Sequence, residues 1–171
     1  AAAMAIAAPA AAETTGAVGV TYNSYDTSGS SEYETWELDG YVFHRVAGPW
    51  GVQAEGRYED VEYGSGFEDE GNHLALHGLY AADTFTAGVF VGNGTVFDDY
   101  DFDFYGAEGA FRFANWTLEG SATLRDQDND YARYHVGAKY FFGDNFSVGG
   151  RYGFTDREGG DWNSYDIGAE Y

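Results

Sequence analysis

From Gly16 onward, apolar and polar residues alternate with a period of two. That spacing sends successive side chains to opposite faces of an extended chain, so it predicts strands rather than helices. Ten such segments follow one another, at about 16–25, 34–46, 50–60, 73–81, 85–92, 104–113, 116–125, 132–142, 146–155 and 164–171. In 50–60, Trp50, Val52, Ala54 and Tyr58 share one face while Gln53, Glu55, Arg57 and Glu59 share the other. In 116–125, Trp116, Leu118, Ala122 and Leu124 oppose Thr117, Glu119, Ser121, Thr123 and Arg125. Each segment has about the length that a tilted strand needs to cross a bilayer.

The connections alternate between two classes. Short ones lie near Ala47-Gly48-Pro49, Ala82-Asp83-Thr84, Ala114-Asn115 and Gly143-Asp144-Asn145, and long ones span about 26–33, 61–72, 93–103, 126–131 and 156–163. Strict alternation predicts an antiparallel up-and-down meander with short turns at one rim and longer loops at the other. No linker or composition shift breaks the pattern after residue 13, so 13–171 reads as one all-β barrel domain. Residues 1–12, AAAMAIAAPAAA, are small and apolar and end in Ala10-Ala11-Ala12. They resemble the apolar core and cleavage site of a secretory signal peptide, and the expectation is that 1–12 is the residue of one.

Composition narrows the class. The chain holds 25 Gly, 15 Tyr, 13 Phe and no Cys. Glycine this frequent argues against a helical bundle, and the absence of cysteine excludes disulfides and thiolate chemistry. With 29 acids against 8 bases the formal charge is −21, which repels phosphates and makes nucleic acid a poor partner. No run of about 18 apolar residues is present, so a membrane-crossing helix is excluded while a membrane-crossing barrel is not. About 18 of the 29 acids fall in or beside the long loops, which predicts an acidic rim and a preference for cations at the mouth of any channel.

The distribution of aromatics decides which face looks outward. A soluble barrel buries its apolar face, whereas a membrane barrel turns it to lipid and keeps the polar face inside. Large aromatics stand at the ends of the apolar series with small residues between them, as in Trp50-Val52-Ala54-Gly56-Tyr58. Two interfacial girdles predict that arrangement, and a packed core has no reason to repeat it. The expected girdle residues are Trp36, Trp50, Tyr58, Tyr80, Phe85, Phe113, Trp116, Tyr134, Phe142, Phe146, Tyr152 and Tyr171. The opposite face, expected to line a pore, carries the acids Glu37, Asp39, Glu55, Glu59, Glu108, Glu119, Asp166 and Glu170. It also carries the bases Arg45, Arg57, Arg112, Arg125, Arg133, Lys139 and Arg151, while Arg157 is expected in a loop. Since a base facing mid-bilayer lipid costs about 2–4 kcal/mol, this one-sided placement supports the inverted barrel and predicts ion pairs along its lumen.

No catalytic or metal motif emerges. His73 and His77 share a strand face, yet four residues of strand separate them by about 13 Å, too far for joint ligation of one zinc. His135 is expected inside, and His44 outside near a rim. Asp126-Gln-Asp128-Asn-Asp130 copies half a calcium loop but lacks the Gly and the final bidentate Glu, leaving weak divalent-cation binding here and at Asp98-Asp99-Tyr100-Asp101. Gly92-Asn93-Gly94 has no helix after it and does not cradle phosphate. A protease of the omptin type needs strands well above the membrane, and the segments expected here match only membrane height.

These strands, with segments such as YDFDFYGAEGAFRF and SYDIGAEY, resemble Gram-negative outer-membrane porins of the alphaproteobacterial type. The resemblance implies an up-and-down transmembrane β-barrel in the outer membrane of a Gram-negative bacterium, without cofactor or enzymatic activity, through which small hydrophilic solutes and ions diffuse. It implies contact with outer-membrane lipid and lipopolysaccharide, and a homo-oligomer as one open possibility. The alternative is a plugged structural or adhesive barrel. Ten strands closing alone give a radius near 10 Å, which inward Arg and Glu would nearly fill, whereas a larger barrel leaves a path.

Overall fold

The computed structural model describes residues 14–25, 33–64, 67–96, 100–126, 131–143, 146–157 and 160–170. It contains β1 (Thr14–Tyr25), β2 (Tyr33–Ala47), β3 (Trp50–Tyr63), β4 (Phe67–Ala81) and β5 (Phe85–Val96). The second half contributes β6 (Tyr100–Phe113), β7 (Trp116–Asp126), β8 (Tyr131–Phe141), β9 (Ser147–Arg157) and β10 (Trp162–Glu170). All ten form one antiparallel sheet in chain order, each hydrogen-bonded only to its sequence neighbours. The sheet curls into an arc and is open among the described residues, since β1 and β10 are not paired. The expected signal-peptide residues 1–12 and the girdle residue Tyr171 lie outside the described residues.

Turn chemistry fixes the short rim. Gly48 takes φ +55 between β2 and β3, a left-handed state open to glycine, and the two strands pair with a bulge between Arg45 and Ala47. The two-residue connection between β6 and β7 places Ala114 at φ 47, which few residues with a Cβ adopt, because right-handed strand twist demands such a turn in so short a loop.

The opposite rim differs from expectation. The segments 61–72 and 93–103, expected as long loops, are mostly strand: β3 runs on to Tyr63, β4 starts at Phe67, β5 reaches Val96 and β6 starts at Tyr100. Alternation continues there, but on the outward face the apolar residues give way to acids, which masks the strand pattern. β2 and β4 thus have 15 residues each, and β3 and β6 have 14, against 11 in each of β7, β8 and β9. A 15-residue strand tilted about 40° rises about 38 Å, above an apolar band about 25 Å tall. The expectation of strands of membrane height is therefore corrected for this half, and the height argument against an omptin-like cleft falls with it.

Burial runs opposite to that of a water-soluble sandwich. On the convex face Leu74, Val89 and Val136 are 61%, 64% and 59% exposed, whereas the buried concave set includes Glu37, Gln53, His77, Glu108 and Thr155. Two aromatic belts bound the convex apolar zone. Near the short turns Trp50 meets Tyr80 at 5.0 Å, and Trp116 meets Tyr140 at 4.9 Å between ring centroids. At the far side Tyr22 meets Trp36 at 4.7 Å and Tyr152 meets Tyr165 at 5.3 Å. Beyond that second belt the convex face carries Glu34, Asp60, Glu62, Glu68, Glu70, Asp101, Asp103, Asp126 and Asp156, so among the described residues the acidic rim stands on strand ends.

Candidate functional site

The pairing registers put every residue of the charged series on the concave face. Arg57 pairs across from Asp39 and His73, Glu108 from Gly88 and Ser121, and Arg151 from Gly137 and Asp166. Glu37, Glu55, Glu59, Arg45, Arg112, Glu119, Arg125, Arg133 and Lys139 share that face, and Glu170 does so by its backbone register. Arg157 joins them: it is paired with Tyr131 on β8 and is not in a loop. The girdle residues Trp36, Trp50, Tyr58, Phe85, Phe113, Trp116, Tyr134, Phe142, Phe146 and Tyr152 are exposed, and Tyr80 is half-buried beside Trp50.

The concave charges are not mixed evenly. Strands β2 to β4 carry Glu37, Asp39, Glu55, Glu59 and Asp69 against Arg45 and Arg57. Strands β6 to β9 carry Arg112, Arg125, Arg133, Lys139, Arg151 and Arg157 against Glu108 and Glu119. One wall is acidic and the other basic, a polarity that a sum over the whole face conceals. The signal was in the order of residues, since six of the eight bases follow residue 111.

On the acidic side the charges are tied together. Arg57 Nη2 lies 2.8 Å from Glu37 Oε2 and 2.9 Å from Glu59 Oε2, so one guanidinium bridges two carboxylates. His77, 1% exposed, donates through Nδ1 to Glu108 Oε1 at 2.6 Å, and its Nε2 stands 3.4 Å from Glu55 Oε2. His73 Nε2 is 4.0 Å from the other oxygen of Glu55. The two histidines thus meet at a carboxylate on the neighbouring strand, a contact that spacing along β4 alone does not reveal. His73 contacts Glu55 rather than the nearby-in-sequence Asp69 and Glu70, and Glu70 faces outward. Among the described residues no cluster of three or more His, Asp or Glu is arranged to hold a metal ion.

Between the two walls the concave surface is aromatic. The rings of Phe102 and Phe104 lie over Gly94 and Gly92, where an added Cβ would strike them, and Phe90 lies likewise over Gly106. The glycines read as a failed phosphate loop are instead the floor beneath these rings. On the basic side Arg151 Nη2 bonds Glu119 Oε1 at 3.2 Å, and Arg112 Nη1 bonds Thr86 Oγ1 at 3.1 Å. His135 lies inward between Ser121 and Gly153 by register, and His44 faces outward, bonded to Thr14 at 2.9 Å. A cavity of about 610 Å³ opens between the walls, touching Glu55, Arg57 and Glu59 on one side and Arg125, Arg133 and Arg151 on the other. The expected cation loops at 98–99 and 127–130 lie outside the described residues, and Tyr100, Asp101 and Asp126 are exposed at the rim.

No family model matches the chain, and no curated protein matches it. Solved structures do. A loop-deletion form of OmpT, an outer-membrane protein of Vibrio cholerae, superposes with a TM-score of 0.55 at 17% identity, covering 88% of this chain and 61% of that one. The trimer form of OmpT gives 0.53 at 16% identity, with coverage of 88% and 63%. The β domain of the Bordetella autotransporter BrkA gives 0.56 at 13% identity, with coverage of 92% and 82%. The fold is that of a Gram-negative outer-membrane β-barrel wall. This chain spans less than two thirds of the length of OmpT.

Proposed function

We propose that this wall lines a porin-like channel of the Gram-negative outer membrane, through which small hydrophilic solutes and ions pass by diffusion. One observation carries the reading: the convex face is apolar between two aromatic belts, while the concave face carries the bases and borders a cavity lined by charged and aromatic side chains. In water that arrangement would expose a broad apolar surface, whereas in a bilayer it is the stable orientation. Residues 13–171 form the barrel portion behind the signal-peptide remnant 1–12. The convex belts meet lipid and lipopolysaccharide, and the acidic segments 98–101 and 126–130 hold divalent cations weakly. Self-association into an oligomer is compatible with the trimer form of OmpT, and the porins that the sequence resembles are the alphaproteobacterial ones. No nucleophile or metal enters this account, and the protein works without catalysis.

A second reading, a plugged structural barrel, draws on the inward Phe90, Phe102 and Phe104 and on the tied charges beside them. Planar-bilayer recording of the refolded full-length protein separates the two. Discrete conductance steps with a cation-directed reversal potential, fading as salt rises, are expected of the channel. A trace without steps overturns it in favour of the plugged barrel, and anion selectivity overturns control by the acidic rim. Quenching of Trp36, Trp50 and Trp116 by brominated lipids checks the orientation, and quenching by aqueous iodide alone would reverse it.

A further inference from the structure

The rim-side half of the basic wall holds a group of donors with nothing to bind. Arg125 is held between two aromatic residues: its guanidinium lies 3.3 Å above the centroid of Phe102 and 5.3 Å from that of Tyr131, and Nη1 donates to the Tyr131 hydroxyl at 2.9 Å. The adjacent donors Nε and Nη2, both buried, have no partner. These two N–H groups form one edge of the guanidinium fork, the edge that matches two oxygens of a carboxylate or phosphate. A buried donor without an acceptor is costly, so a site of this kind fits an occupant that supplies one.

The register supplies the rest of the site. Arg125 pairs with Tyr131, which pairs with Arg157, and one step along the same face Thr123 pairs with Arg133 and Arg133 with Thr155. Arg133 is therefore the diagonal neighbour of Arg125, within the reach of two long side chains meeting at one ligand. No carboxylate occupies these two rows of the concave face on β6 to β9. The nearest inward acids there, Glu108 and Glu119, are engaged by His77 and Arg151. In a chain of charge −21, Arg125 and Arg133 thus both line the cavity from two rows of the wall that hold no inward carboxylate.

We propose that Arg125 and Arg133 form a binding site for a small multivalent oxyanion, phosphate or a dicarboxylate, on the concave wall. Arg125 offers its Nε–Nη2 edge, Arg133 closes over the ligand from the cavity, and the hydroxyls of Thr123 and Thr155 flank it. The site deepens the channel reading, since it rests on the concave face being open to solutes. It also gives that path a resting point for anions behind a rim that attracts cations.

Binding is tested apart from conduction, by calorimetric titration of the detergent-refolded full-length protein with sodium phosphate and with sodium succinate, against chloride at equal ionic strength. Saturable binding of either oxyanion is expected, weakened at least tenfold by Arg133→Gln, while Arg45→Gln at the far rim leaves it unchanged. Arg125→Met should abolish it, and because that variant also loses packing on Phe102, the exposed Arg133 is the decisive position. Failure of both oxyanions to bind overturns the site, as does equal affinity in the Arg133→Gln protein. Saturable binding in a protein without conductance would overturn the channel and keep the site; conductance without binding would do the reverse.

Discussion

The two halves of the sheet solve different problems. Strands β2, β3, β4 and β6 are long, and the concave face from β2 to β6 is packed: Phe43, Ala75, Leu79, Phe90 and Ala110 are buried there beside Glu37, His77 and Glu108, each of which has an opposite charge at hand. Strands β7, β8 and β10 have no buried residue whose side chain is described, and Arg125 there meets two aromatic rings while Arg133 is exposed. Charge that is desolvated is costly unless paired, because a buried lone ion costs several kcal/mol, whereas charge facing a wet cavity, such as the exposed Arg133, is free to act on solutes. The first half therefore holds the wall in shape and the second presents its chemistry.

The largest test of that division is His77→Leu. It strips the buried Glu108 of its partner and removes a neighbour of Glu55, so a loss of about 3–5 kcal/mol is expected in urea refolding into detergent. The double variant His77→Leu/Glu108→Leu should recover most of it, since no lone carboxylate remains. His135→Leu, on the open half, should cost less than about 1 kcal/mol. Equal losses at His77 and His135 would end the comparison.

A smaller contrast uses the two arginine bridges. Arg57→Met leaves Glu37, whose side chain is 4% exposed, without its 2.8 Å partner, and a loss of about 2–3 kcal/mol is expected. Arg151→Met releases Glu119, which at 27% exposure is reached by water, and should cost about 1 kcal/mol or less. Smaller still is the effect of glycines under the aromatic floor. An added Cβ at Gly106 meets Phe90 and the carbonyl of Ala122, so Gly106→Ala should destabilise by about 1–3 kcal/mol. Gly168→Ala, with nothing within 4 Å, should be close to neutral.

Much of this was legible in the sequence because a strand has only two faces. Once Trp50, Val52 and Ala54 are placed outward, Glu55 and Arg57 must point inward, and the same parity located all ten strands. Strand ends were less legible. Past Tyr58 the outward positions become Asp60 and Glu62, and a polar–polar succession looks like a loop although the backbone continues in register. Cross-strand partners were not legible at all. Which carboxylate meets His77 depends on how β4 aligns with β3 and β6 lies beyond β5, and a shift of two residues would preserve every face while changing every partner. The free edge of Arg125 is likewise a product of Phe102 and Tyr131 closing on it from two other strands.

The smallest expected effect sits where the long strands leave the membrane zone. Glu62 stands directly between Glu34 on β2 and Glu68 on β4, three like charges in one row of the convex face. Like charges directly opposite one another destabilise a sheet by a few tenths to about 1 kcal/mol, and exposure to water keeps the penalty near the lower end. Glu62→Gln removes the central charge of the row and should raise the urea midpoint slightly at low ionic strength. At about 1 M salt, where charges only 3 Å apart are already screened, the gain should vanish. Magnesium at millimolar concentration should shrink the same gain by neutralising the wild-type row, which would also measure how strongly these strand ends hold divalent cations. A stabilisation that persists unchanged in high salt would mean that Glu62 acts through packing rather than charge, and the long strands would then owe their height to something other than a tolerated electrostatic cost.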